Sequence, residues 1–231
     1  MKWTINKNIM LEALNNVTKA LSQRTTIPVL NGIVFDVSKN GIELLASDSE
    51  LTIKVLIKEE DIKNLSGEGR LIIQSKYFLD MIRKMPGDVI DFEIEDNLKI
   101  KISTPSNQYR LNCYNPSDYP NINIDKSGNA LTLKSETLKE LINQTSYALS
   151  TQEVRPLLTG LNLKINGDIL ECLATDSYRL SKKTIKLDTP FDREVNIVIP
   201  GKSIVELEKI ITEDNEISIH LFSNKILFVY K

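Results

Sequence analysis

Apolar residues follow two periods that succeed each other in a fixed order along the chain. From Lys2 to Ile5 they alternate with polar ones, as on a half-buried strand, and Met10, Leu14, Val17 and Leu21 then recur at helical spacing. Three strand-like runs follow, at 29–37, 42–47 and 51–57, divided by turns that contain Gly or Asp and Ser. The cycle then restarts. Residues 70–74 form a strand, Ser75 is placed to cap a helix running to Met85, Pro86-Gly87 ends it, and 89–95, 98–103 and 108–113 alternate once more. This pattern predicts an α+β domain made of two strand-helix-three-strand units.

The second half of the chain repeats the first. Shifted by 128 residues, Pro28–Ser49 lies over Pro156–Ser177 without a gap, with 8 identities in 22 positions. Upstream, Thr4, Glu12, Asn15 and Ala20 fall over Thr132, Glu140, Asn143 and Ala148 in the same register, and downstream SKYFLDMIRKM falls over GKSIVELEKII. The elements repeat too. Ala130 to Leu133 is the opening strand, Ser135 is placed as an N-cap, and Leu138, Ile142, Thr145 and Leu149 form the helical stripe. Two tandem domains, 1–122 and 129–231, are therefore expected, with a Pro/Asn/Asp-rich linker between them. Lys231 aligns with about Ser103 or Thr104, so the second domain is expected to lack its last strand and the chain to be a truncated form.

Composition narrows the function. The 231 residues are 41% hydrophobic and 26% charged, without an apolar run of membrane-spanning length or a signal-peptide pattern at the start, which predicts a cytoplasmic protein with no membrane partner. Cys113 and Cys172 fall in different halves and read as small buried hydrophobes. The net charge of −2 argues against a surface that coats nucleic acid throughout. The four predicted helices carry +2 between them, which leaves room for a local basic face.

Catalytic chemistry finds no foothold. The single histidine, His220, sits in the alternating run ISIHLF, the cysteines have no CxxC spacing, and no phosphate-binding glycine motif occurs. No catalytic residue, metal site or cofactor is predicted. Asp48 and Asp176 recur where a strand meets a turn in LASDSEL and LATDSYRL. Recurrence at one structural corner favours a turn-former that accepts backbone N–H bonds over half of a hydrolase active site.

Seven segments, in order, carry a resemblance that covers the whole chain: MKWTINKNIMLEAL, SQRTTIPVLNGI, SKYFLDMIRKMP, LNCYNPSDYPNI, VRPLLTGLN, LATDSYRL and VIPGKSIVEL. Together they resemble the β subunits of bacterial DNA polymerase III, the sliding clamps. The resemblance implies the DNA clamp fold, with three such domains per chain closing head to tail as a homodimeric ring around duplex DNA, helices inside and sheets outside. It implies a processivity factor that performs no reaction, with double-stranded DNA bound regardless of sequence, and with DNA polymerase III, other clamp-binding proteins and the clamp loader as partners. By the same resemblance the third domain is absent here, so this chain is expected not to close a ring. A protein-binding adaptor built on the same duplicated domain, without DNA encirclement, is the alternative.

The resemblance also implies sites. Arg24, Lys76, Gln152 and Lys202 align with DNA-contacting positions, where contacts would be to phosphate. Pro156 and Leu157 stand where some clamps carry paired tyrosines. Leu158, Thr175, Ser177, Tyr178, Arg179 and Leu180 align with one wall of the pocket that takes a client's short hydrophobic motif, with Tyr178 replacing a common histidine.

Overall fold

The computed structural model describes residues 1–21, 25–96, 98–124, 126, 130–212, 215–222 and 224–230. The chain forms two compact units, Met1–Ile122 and Asn123–Lys231.

Unit 1 opens with strand β1 (Lys2–Asn6) and helix α1 (Lys7–Val17), whose first turn is capped by the Asn6 side chain accepting from the Asn8 N–H at 2.8 Å. Strands β2 (Gly32–Ser38), β3 (Gly41–Ser47), β4 (Thr52–Lys58), β5 (Ile62–Ser66) and β6 (Gly69–Gln74) follow. Helix α2 (Phe78–Lys84) and strands β7 (Val89–Asp96), β8 (Lys99–Ser103) and β9 (Gln108–Tyr114) complete the second cycle. The cycles exchange their first strands. β6 pairs with β2, and β1 pairs with β7, so the nine-stranded sheet runs β4-β3-β2-β6-β9-β8-β7-β1-β5. Its two halves join through β6 and β9, at Ile72↔Tyr114 and Ile73↔Cys113.

Both helices bury their apolar faces against the inner side of this sheet. Trp3 lies at the centre, stacked on Phe92 at 5.1 Å between ring centroids and flanked by Phe35 at 6.4 Å, while Phe78 of α2 meets Phe35 edge-on at 6.0 Å.

Unit 2 repeats the order, except that among the described residues β5 and β9 have no counterparts, with β10 (Ala130–Lys134), α3 (Ser135–Ser146), β11 (Gly160–Asn166), β12 (Ile169–Thr175), β13 (Leu180–Lys186), β14 (Val195–Pro200), α4 (Gly201–Ile210), β15 (Glu216–Leu221) and β16 (Ile226–Tyr230). Its strands form two sheets, β13-β12-β11-β14 and β10-β15-β16, around a core in which Leu131, Leu163 and Ile217 are buried. Cys113 and Cys172 are free and buried, and burial pushes their thiols up to about 11 and about 12.

Several local expectations need correction. Ser135 does not cap α3. It is the first helical residue and is buried, its N–H donating to Asn215 O at 2.8 Å and its Oγ accepting from the Asn215 N–H at 3.1 Å, so the side chain ties the helix to the loop before β15. Ser75 makes no side-chain cap either, because a turn precedes α2 and the helix starts at Phe78 behind Tyr77, which is held at φ 69°. Residues 28–31 and 156–159 are single 3₁₀ turns rather than the start of a strand, each opened by a proline that fixes φ. Helices α1 and α3 stop short of Leu21 and Leu149. β5 had no expectation at all: its sequence IKNLS covers the edge of β1 and shows no clean alternation.

Candidate functional site

The turn between β12 and β13 carries most of the candidate pocket residues, and its backbone is closely held. Asp176 accepts at Oδ1 from the N–H groups of Tyr178 and Arg179, both at 3.0 Å. Thr175 Oγ1 donates to Arg179 O at 2.7 Å and accepts from the Ser177 N–H at 3.2 Å. Ser177 sits at φ 78°, the left-handed region that a serine enters only when its surroundings hold it there. The carboxyl of Asp176 is held below the usual carboxylate range, first by the Arg179 backbone N–H, then by that of Tyr178, with the Arg179 guanidinium adding to both.

Unit 1 builds the same turn. Asp48 Oδ1 accepts from the N–H groups of Glu50 at 3.1 Å and Leu51 at 2.8 Å, and Ser49 stands at φ 81°. Both aspartates therefore hold a tight turn between two strands. Among the described residues no group of three or more His, Cys, Asp or Glu is placed to hold a metal ion.

A fixed turn lets apolar side chains stand in solvent. Tyr178 is 96% exposed, and Leu180 is exposed beside it. Leu158 is half-buried at the end of the 3₁₀ turn Pro156–Thr159, next to Leu157, which is 75% exposed. The two segments meet through Arg155, whose Nη1 donates to Ser177 Oγ at 3.1 Å. Arg179 reaches back over the exposed ring of Tyr147, 5.6 Å from its centroid. The structure thus gathers Leu158, Thr175, Ser177, Tyr178, Arg179 and Leu180 on one side of unit 2, and adds Arg155, Leu157 and Tyr147 to them.

Sequence reasoning had not assigned Arg155 or Tyr147 to this site. Tyr147 had a signal, since it falls off the stripe of Leu138, Ile142, Thr145 and Leu149 and so had to point elsewhere. Arg155 had none, because its partner lies 22 residues away.

The candidate DNA contacts are scattered over the two units. Lys76 is exposed in the turn before α2, its Nζ 5.0 Å from the Tyr77 ring centroid, on the rim of a shallow cleft of about 380 Å³ lined by Gln74, Tyr77, Met81, Arg110 and Asn112. Gln152 is exposed, and its N–H donates to Ser150 Oγ at 3.1 Å. Lys202 is exposed in the first turn of α4. That turn sits hard against the segment that carries Gln152, since a Cβ on Gly201 would lie 2.3 Å from Thr159 O and 2.9 Å from Leu149 Cδ1. Arg24 lies outside the described residues. Among the described residues no helix is long and apolar enough to cross a membrane.

Comparisons with known proteins agree with one another. Residues 1–123 match the family described as DNA polymerase III beta subunit, N-terminal domain, and residues 132–231 match the family described as DNA polymerase III beta subunit, central domain. The beta sliding clamp of Bacillus subtilis (strain 168) is 36% identical over 236 residues, covering 100% of this chain. A crystal structure of the DNA polymerase sliding clamp from Bacillus subtilis superposes with a TM-score of 0.95 at 35% identity, over 99% of this chain and 62% of that one. A sliding clamp from Pseudomonas aeruginosa bound to griselimycin superposes with a TM-score of 0.88 at 26% identity, over 98% of this chain and 61% of that one. The chain spans 62% of the length of the curated Bacillus relative.

Proposed function

Because the chain belongs to the DNA polymerase III beta-subunit family, we propose that it serves a processivity factor, holding a replicative polymerase on duplex DNA and docking that polymerase and other clients on unit 2. The role is mechanical and involves no reaction. The observation that carries the docking part is the cluster of exposed Tyr178, Leu180 and Leu157 around a turn whose backbone is fixed by Asp176. Apolar side chains on a rigid turn lose little entropy on burial and present an anchor with a polar rim, here Thr175, Arg155 and Arg179. The occupant that fits is a short apolar peptide.

DNA contact rests on Lys76, Gln152, Lys202 and Arg24. Such side chains would touch phosphates, which gives position without sequence and suits a protein that must move along the duplex. A polymerase, a clamp loader and a closed homodimeric ring are the partners and the assembly that this reading implies.

Primer extension with limiting polymerase on a long template tests the reading. The protein that carries this chain should lengthen the products, and Leu158→Ala with Leu180→Ser should abolish the gain. Product lengths unchanged by adding the protein would refute it. Peptide docking without any DNA association would instead favour the adaptor reading, which the net charge of −2 keeps in view.

A further inference from the structure

One side of β13 meets one stripe of α3. Arg179, just before the strand, and Ser181 and Lys183 within it alternate along the chain and so share a side. Glu140, Gln144 and Tyr147, spaced by four and three, share a side of α3 and the residue that ends it. The two rows meet rung by rung. The Arg179 guanidinium lies 5.6 Å from the Tyr147 ring centroid, Ser181 Oγ donates to Gln144 O at 2.6 Å, and Lys183 Nζ donates to Glu140 Oε1 at 2.8 Å. Gln144 Nε2 donates to the same oxygen of Glu140, also at 2.8 Å, which ties the last two rungs together.

Unit 1 builds the same seam from different chemistry. By the 128-residue repeat, Arg179, Ser181 and Lys183 correspond to Leu51, Ile53 and Val55, all of which pack against the unit 1 core. There α1 lies against β4 as α3 lies against β13. An apolar seam stabilises by burial, and exposed polar pairs contribute little beside it. Packing therefore does not account for the polar side chains of the unit 2 seam. What a hydrogen bond or a ring face adds is direction, because it fixes where the side chain points.

Direction matters most at Arg179, which stands on the rim of the docking cluster. Its Nε donates to Asp176 Oδ2 at 3.0 Å, and that single contact sets where the guanidinium sits but leaves it able to tilt. The Tyr147 ring lies across the guanidinium and sets how it lies. Leu51, at the same place in unit 1, has no group for either contact. Tyr147 is 59% exposed, so burial in the core is not what places its ring there.

We propose that Tyr147 is a positioning residue of the unit 2 docking cluster: its ring holds the Arg179 guanidinium in place on the rim before a peptide arrives, so that docking does not have to order it. The inference rests on reading that cluster as a docking site. A side chain that must be ordered on binding costs affinity, and a cation held on an exposed aromatic face is worth about two- to fivefold in a binding constant.

The test is an NMR comparison of the 231-residue chain with its Tyr147→Ala, Tyr147→Leu and Tyr147→Phe variants, using a capped leucine-serine-leucine-phenylalanine peptide as the probe. Nitrogen relaxation gives the order of the Arg179 Nε–H in the free proteins, and the amide shifts of Leu158 and Thr175–Leu180 give the peptide's Kd. In the parent and in Tyr147→Phe the Nε–H should be as ordered as the backbone amides of the turn. Tyr147→Ala and Tyr147→Leu should lose that order and bind the peptide about two- to fivefold more weakly, while Tyr147→Phe, which keeps the ring, should bind as the parent does. Tyr147→Leu keeps apolar bulk without a ring face and covers an alanine variant that fails to fold. An Nε–H still fully ordered in Tyr147→Ala or Tyr147→Leu would overturn the proposal. Loss of order with unchanged affinity would overturn it too and leave the docking reading standing. A parent chain whose amides do not shift with the peptide would sink the docking reading instead, and the Nε–H order would still decide whether the ring holds Arg179.

Discussion

Arg179 is drawn back onto Asp176 by two contacts, its backbone N–H donating to Oδ1 and its Nε to Oδ2, each at 3.0 Å. The guanidinium lies over Tyr147, and Leu180, next along the chain, is exposed. One carboxylate sets both the path of the turn and the position of the cation on its rim.

That dependence has a pH signature. A carboxyl whose pKa is lowered by folding contributes stability that is complete above its unfolded pKa and is lost as pH falls through the folded one. For Asp176 the turn should therefore hold at neutral pH and loosen only in acid, below the usual carboxylate range. The amide shifts of Tyr178 and Arg179 should titrate with a midpoint under that of an unperturbed aspartate, and a midpoint at or above it would contradict the assignment. Asp176→Asn should remove the titration.

Leu158 and Leu180 should act on peptide affinity more than on fold. Burying one such side chain is worth about 1.5–3 kcal/mol, so Leu180→Ser should weaken docking of an apolar peptide by roughly 10- to 100-fold. Thermal unfolding should barely move, because Leu180 is exposed in the free chain. Calorimetry with one peptide on both proteins decides it, and equal affinities would remove Leu180 from the site.

DNA contact by Lys76 and Lys202 predicts a change in salt dependence. The 231-residue chain should bind duplex weakly, with a Kd of about 10⁻⁴ M at physiological salt, and each phosphate contact removed should flatten the log–log salt slope by about 0.9. Lys76→Ala and Lys202→Ala should each show this, equally on unrelated sequences. A slope unchanged in both would assign these lysines to the solvated surface.

The centre of unit 1 should be intolerant at Trp3. Trp3→Ala removes the ring stacked on Phe92 and should cost about 3–5 kcal/mol, while Trp3→Phe keeps an aromatic there and should cost much less. Among the described residues the buried indole Nε1–H has no hydrogen-bond partner, so Phe leaves no polar group stranded. Urea unfolding followed by circular dichroism measures both, and a Trp3→Phe as damaging as Trp3→Ala would refute this account.

Cys113 and Cys172 should behave as core residues. With their thiols pushed up to about 11 and about 12, thiolate is scarce at pH 8. An aromatic disulfide reagent should react slowly with the folded chain and quickly in denaturant. Rapid reaction of either cysteine in the folded chain would show that its strand opens readily.

Much of the architecture was legible because strand and helix periods are local and the repeat states them twice. The register of Pro28–Ser49 over Pro156–Ser177 predicted paired elements, and β2-β3-β4 and β11-β12-β13 follow it with their bounds within about three residues. The paired aspartates at 48 and 176 were legible as turn-formers for the same reason: an Asp accepting N–H groups two and three residues on is a local device. Element ends were less legible. Ser135 looks like an N-cap until Asn215, 80 residues away, claims it.

The candidate pocket residues came from aligned motifs, which give positions but no surroundings. Arg155 beside Ser177, Tyr147 beneath Arg179, and the exposure of Leu157 where Val29 is buried belong to the tertiary structure alone. Sequence by itself determined the order of elements, the duplication and the two turns, because each depends on residues a few positions apart. Only the folded chain decided that the unit 1 face carrying Val34, Leu45 and Ile72 is covered, because that depends on a distant aromatic, Tyr119, arriving to remove it from water.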